Sequence, residues 1–147
     1  MSQQRRIDTI SLLIQSNNSF SPNQIAIEQD LKVVPSLTSM KPLKRRNLIQ
    51  IFFSSRAIDT SLKTFLDRHG LRGSTEYSIG KYLDKLHSHN RTQLGNLSRS
   101  ERDQYKRSIA NVRNGYLHQA NTYPNGNQDV NLLLSEIETL LSVMVTL

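Results

Sequence analysis

The sequence contains no cysteine, which excludes disulfides, thiolate metal sites and cysteine nucleophiles. No apolar run approaches the roughly 18 residues of a membrane-spanning helix. The most apolar stretch, residues 130–147, carries Glu136 and Glu138 in its middle. Nor does the start of the chain read as a secretion signal, because the apolar block at residues 10–14 is short and Asp8 precedes it. There is no internal repeat, no low-complexity tract and no alternating run of β-branched residues. These absences lead to the expectation of a cytoplasmic protein that does not enter a membrane. With 147 residues, such a chain can bury roughly 68–70% of its unfolded surface around one core, and a single domain over residues 1–147 is expected.

Positive charge is also absent where it could balance the rest. Residues 114–147 hold no Lys or Arg and three acids, whereas residues 41–72 hold eight cations against Asp59 and Asp67. The whole chain carries a formal charge of +7. A one-sided excess of this kind favours a polyanionic partner, because cations that neutralise phosphates release condensed counterions.

Helix periodicity dominates what is present. Ile7, Ile10 and Ile14 share one face of a helix over Gln3–Gln15. Ser21-Pro22 reads as an N-cap followed by proline in the first turn, predicting a helix over residues 22–34 and a loop from Pro35 to Lys41. From Leu43 to His69, apolar residues at three- and four-residue steps predict one long amphipathic helix ended by Gly70. Ser74 or Thr75 then caps a shorter helix that buries Ile79, Tyr82, Leu83 and Leu86. Ser98 and Glu101 form a capping-box pattern, opening a helix with Tyr105, Ile109, Val112 and Tyr116 along one stripe. After a turn at residues 123–127, a last helix from about Asp129 packs Leu133, Ile137, Leu140, Leu141 and Met144. The expected fold class is all-α, a bundle of four to five principal helices.

Near the end of the fifth pattern stands Asn111-Val112-Arg113-Asn114-Gly115-Tyr116-Leu117-His118. With twelve Arg, twelve Asn and four His in the chain, chance supplies only about 0.03 copies of Arg-Asn-x-x-x-His. Arg113, Asn114 and His118 resemble the motif of the HEPN superfamily, whose ribonucleases carry an Arg, four to six residues, then a His, often with Asn after the Arg. The resemblance implies a helical bundle and a metal-independent endoribonuclease. It further implies an isologous homodimer whose paired Arg–His sets line one cleft, and a toxin or phage-defence role. On this reading Arg113 and His118 are catalytic, Asn114 supports them, and neither metal nor cofactor is expected.

The residue types suit the chemistry. When a 2′-hydroxyl attacks the adjacent phosphorus, one proton leaves that oxygen and another reaches the departing 5′-oxygen. Histidine, with an ordinary pKa of about 6.5, serves both transfers at neutral pH. A permanently charged guanidinium meets the charge that gathers on the non-bridging oxygens. Asn111, Asn114 and His118 form a polar stripe, and at about 100° per residue His118 falls roughly 140° round the helix from Arg113. Lys44, Arg45, Arg46 and Arg107 are the expected RNA contacts. His69 reads as a cation complementing the end of the long helix. His87 and His89, two apart and without a nearby carboxylate or thiol, do not read as a zinc site. Arg56 and Asp59 read either as supports from a neighbouring helix or as a surface ion pair.

One departure from the family concerns regulation. Members modified by a nucleotidyltransferase partner carry a Tyr two residues after the His, whereas this chain has Ala120 there. A second reading keeps the same helices as a catalytically inactive RNA- or nucleotide-binding module, or an adaptor in a defence or toxin–antitoxin complex. Its partners are then RNA and an antitoxin or defence-complex protein. A third reading, a basic DNA-binding regulator, requires a short helix-turn-helix across residues 70–74.

Overall fold

The computed structural model describes residues 2–124 and 126–147. Its elements are α1 (Gln3–Gln15), a 3₁₀ turn (Asn18–Phe20), α2 (Gln24–Ser36), α3 (Leu43–Arg68), α4 (Ile79–Ser88), α5 (Arg99–Tyr105), a π-helical segment (Lys106–Ala110), α6 (Asn111–Leu117) and α7 (Asn127–Met144). The architecture is an all-α bundle, with no strand among the described residues. The central element is α3, which packs against α2, α4, α6 and α7. Its apolar stripe Ile51, Ile58, Leu62, Phe65 and Leu66 is almost completely buried. Each neighbour offers the face its periodicity dictates: Ile7, Ile10 and Ile14 from α1, and Leu133, Ile137, Leu140 and Met144 from α7. These side chains join one connected core.

Among the described residues, no helix is long and apolar enough to cross a membrane.

Several boundaries differ from the sequence expectation. Asn23, rather than Ser21, precedes α2, and Ser21 closes the 3₁₀ turn instead. Pro35 lies inside the last turn of α2, where it forfeits a single helical hydrogen bond, so the loop begins at Leu37. The cap of α4 is Ser78, whose hydroxyl accepts from the Lys81 amide, and not Ser74 or Thr75. Residues 69–78 therefore form a ten-residue connection, too long for the tight turn that a helix-turn-helix would need. The capping box at Ser98 and Glu101 is formed on both sides, at 2.9 and 3.0 Å. In the expected turn at residues 123–127, Asn125 lies outside the described residues, and α7 begins two residues earlier than Asp129.

The largest local difference is the π-helical segment between α5 and α6. A π turn inserts one extra residue into the helical register. The α-helical stripe Tyr105, Ile109, Val112, Tyr116 therefore cannot continue onto one face. Tyr105, Ile109 and Ala110 are buried, while Val112 and Tyr116 are only half-buried and α6 buries no residue fully. Beyond the insertion, Arg113 is half-buried and its charge is felt by Asp59 of α3.

Candidate functional site

The motif residues occupy the last turn of α6 and its cap. His118 is the C-cap, with its amide bonded to the Asn114 carbonyl at 3.2 Å. At φ −111° and ψ −5° it has left the regular helical path. The expected separation of Arg113 and His118 on the helical wheel is thereby overcome by one irregular residue and one long side chain. Arg113 Nη1 lies 3.2 Å from His118 Nε2 and donates to Asn114 Oδ1, also at 3.2 Å. In this contact the guanidinium can only donate, so Nε2 is placed as the acceptor. Asn114 and His118 are exposed and Arg113 is half-buried. The three expected catalytic side chains thus form one cluster, open to solvent on one side.

Behind the cluster stands Asp59 of α3. Its Oδ1 is buried without a hydrogen-bond partner. Burial pushes the Asp59 carboxyl above its ordinary value near 3.8, while the charges of Arg113 and then Lys63 pull it back down. Arg56 does not share this position; it pairs with Asp30 across to α2 at 3.2 Å. Asp59 is the functional candidate that sequence reasoning left undecided. The signal lay in a carboxylate placed four residues before Lys63 on a helix whose buried face it adjoins, which only the packing of α6 resolves.

A carboxylate held in a site that raises its pKa costs stability whenever it is ionised. The folded pKa lies above the unfolded one, so the penalty is absent below about pH 4 and grows as pH rises through the folded value. Asp59→Asn is therefore expected to raise the melting temperature at pH 7, with the gain vanishing near pH 3.5. Thermal unfolding of both proteins at the two pH values measures this, and an unchanged or lower melting temperature at pH 7 would contradict it.

Compared with family models, with curated proteins and with solved structures, the chain matches none. What the cluster can do is therefore argued from its own geometry.

Two depressions flank the cluster. One, of about 230 Å³, is lined by Ser78, Gly80, Lys106, Asn111, Arg113 and Asn114 and lies between α4 and the motif helix. Lys106 is held there by Asp84, at 2.9 Å. The other runs along the opposite side of α6, past Arg107, Val112, Gly115 and Tyr116. At Gly115 an added Cβ would meet nothing within 4 Å, so this side of α6 is bare. The structure thus brings Arg107, one of the expected RNA contacts, beside the motif. Tyr116 Oη donates to Asp129 Oδ2 at 2.6 Å, and that bond together with burial pushes the phenol up to about 12.

The basic run at the start of α3 lies elsewhere. Arg46 and Asp59 are thirteen residues apart on one helix, roughly 20 Å along its axis. Lys44 Nζ sits 4.9 Å from the centre of the Tyr123 ring. Arg45 is exposed, whereas Arg46 donates to the Thr38 carbonyl at 2.7 Å and to Asn127 Oδ1 at 2.8 Å. Arg46 is thus tied into the fold, while Lys44 and Arg45 reach solvent.

The remaining histidines are structural. His87 Nδ1 lies 2.8 Å from the Leu97 carbonyl and His89 Nε2 lies 2.8 Å from the Gly95 carbonyl, fastening the connection between α4 and α5. His69, expected to act as a cation at the end of α3, is instead held below the usual imidazole range. Burial is the first cause, followed by the nearby His89 and Arg68. Its Nε2 pairs with Ser19 Oγ at 3.0 Å and its ring lies 4.5 Å from that of Phe65.

Proposed function

We propose that the protein is a metal-independent endoribonuclease of HEPN type, cutting RNA through attack of a 2′-hydroxyl on the neighbouring phosphate. The observation that carries this reading is the meeting of Arg113, Asn114 and His118 at 3.2 Å on an open face of a basic protein. In the free protein the Arg113 guanidinium occupies the lone pair of His118 Nε2. A phosphate is a better acceptor for a guanidinium than a neutral ring nitrogen. As a phosphodiester enters, Arg113 turns to its non-bridging oxygens and Nε2 is freed to take the proton of the 2′-hydroxyl. The P–O5′ bond breaks as the new P–O2′ bond forms, the leaving 5′-oxygen receives that proton from the imidazolium, and a 2′,3′-cyclic phosphate remains. The half-buried Asp59 carboxyl adds a negative charge whose field reaches Arg113 without a direct bond between them.

The bare flank of α6 around Gly115 suits a second copy, giving a homodimer in which two such clusters face each other. Arg107 on that flank and the half-buried Val112 and Tyr116 supply charge and apolar area for the contact. The cytoplasm is the compartment proposed for it, and the resemblance to HEPN ribonucleases implies a toxin or phage-defence role, restrained by an antitoxin or defence-complex protein. Incubation of the protein with labelled tRNA and mRNA in the presence of EDTA tests the reading. Fragments ending in 2′,3′-cyclic phosphate are expected. Cleavage abolished by EDTA, or fragments with free 3′-hydroxyls, would overturn it, and binding without scission would select the non-cutting RNA-binding module instead.

A further inference from the structure

Well away from the motif, α1 and α7 begin beside one polar cavity of about 400 Å³ that α3 also borders, lined by Ser2, Gln3, Thr38, Arg46, Asn127 and Asn131, with Gln50 of α3. Ser2 caps α1, Arg46 lies in the first turn of α3, and Asn127 is the first residue of α7. The starts of α3 and α7 have no side-chain cap, and neither α1 nor α3 has an acid in its first turn. Asp129, the acid in the first turn of α7, is engaged by Tyr116 on the groove side of that helix. The lining contains one full positive charge, two partial ones from the starts of α1 and α7, and no carboxylate.

Unpartnered polar atoms give the cavity a second, independent mark. Gln50 is 1% exposed. Its Nε2 is spent on the Val34 carbonyl at 2.8 Å and on Gln3 Oε1 at 3.2 Å, which fixes the amide and leaves Oε1 without a donor. Arg46 uses both terminal nitrogens, yet its Nε is buried with no acceptor. Polar groups orphaned in this way are rare in folded proteins and ask for a partner. The pair calls for a ligand that brings an anionic oxygen to the cation and a hydroxyl to the amide. A phosphate carried on a sugar has both.

We propose that this cavity is a binding site for a sugar phosphomonoester, of the kind found in a mononucleotide or at the 5′-phosphate end of a nucleic acid strand. The phosphate sits against the Arg46 side chain and the uncapped start of α7. A hydroxyl of the sugar donates to Gln50, and Thr38 and Asn131 complete the lining. The site is separate from the Arg113–His118 cluster, so it stands or falls independently of the ribonuclease reading.

Calorimetric titration of the full chain with inorganic phosphate, adenosine, adenosine 5′-monophosphate and short DNA oligomers with or without a 5′-phosphate tests the proposal. DNA lacks the 2′-hydroxyl, so cleavage cannot confuse the result. Adenosine 5′-monophosphate is expected to bind at one site at least tenfold more tightly than adenosine. Binding of the 5′-phosphorylated oligomer in addition identifies a strand end as a ligand, and its absence identifies the free nucleotide. Arg46→Met removes the cation but also two hydrogen bonds of the fold. Asn131→Asp therefore serves as the second variant, since it places a carboxylate in the cavity and keeps an oxygen for Gln3. It is expected to weaken binding at least tenfold with the melting temperature held or raised. Equal affinity for adenosine and its monophosphate, no binding at 10-fold molar excess over a millimolar range, or an unchanged affinity in Asn131→Asp would each overturn the proposal.

Discussion

Replacing His118 by alanine is expected to lower RNA cleavage by about 10²–10⁴-fold, the usual contribution of a positioned acid–base group. His118 is exposed and its ring lies against Arg113 at the surface. Its removal should therefore leave the melting temperature nearly unchanged, since surface substitutions of this kind stay within about 0.5 kcal/mol. Arg113→Ala should match that loss or exceed it, because the charge on the transferring phosphate then has no fixed partner. Arg113→Lys is the sharper variant. It keeps the charge but cannot hold Asn114 Oδ1 and a phosphate in one plane, and most of the activity should be lost with it. Initial rates on one RNA, read beside circular dichroism melts, separate a chemical loss from a folding loss. Wild-type rates in both the His118 and Arg113 variants would remove the cluster from the chemistry altogether.

The helices were legible in the sequence because burial imposes a three-to-four-residue period on each of them. Ile7, Ile10 and Ile14 of α1 and the capping box at Ser98 and Glu101 follow from local pattern alone, and the structure places them as expected. Helix starts were less legible where several capping residues compete. Between residues 74 and 78, three Ser or Thr residues offer the same side-chain chemistry, and the choice of Ser78 is made by where Ile79 must enter the core. The π segment left no readable trace, since an extra residue in the register costs nothing that a side-chain pattern displays. Its consequence is that the stripe of Tyr105 and Ile109 does not continue as buried residues through Val112 and Tyr116. The motif could be found by its spacing, while the nearby charge of Asp59 could not. The motif is local in the chain, and Asp59 joins it only through the packing of α3 against α6. The fate of His69 was also hidden. A helix end favours a cation in general, but the Phe65 ring and two neighbouring basic groups reverse that preference here.

Phe65→Ala is expected to be the most damaging single truncation for the fold. Phe65 is 2% exposed near the C-terminal end of the α3 stripe. Its ring centre lies 6.0 Å from that of Phe20, which the 3₁₀ turn between α1 and α2 drives inward, and 4.5 Å from the His69 ring. Removing it leaves a cavity bordered by the 3₁₀ turn and α3, which are held by backbone geometry and cannot collapse onto each other. Such truncations cost about 3–5 kcal/mol, a large part of the roughly 5–15 kcal/mol that holds a domain folded. Phe52, on the same helix but 43% exposed, provides the control. It loses only an edge-on contact with Phe53 at 5.2 Å, so Phe52→Ala should cost about 1 kcal/mol. Urea unfolding of the two variants beside the parent measures the contrast. The Phe65 cavity has a second readout. Water entering beside His69 relieves the burial that holds its imidazole down, so the His69 titration followed by NMR should move upward in folded Phe65→Ala and stay in place in Phe52→Ala. Equal destabilisation by the two variants, with His69 unmoved in both, would show that the core is not organised around this ring.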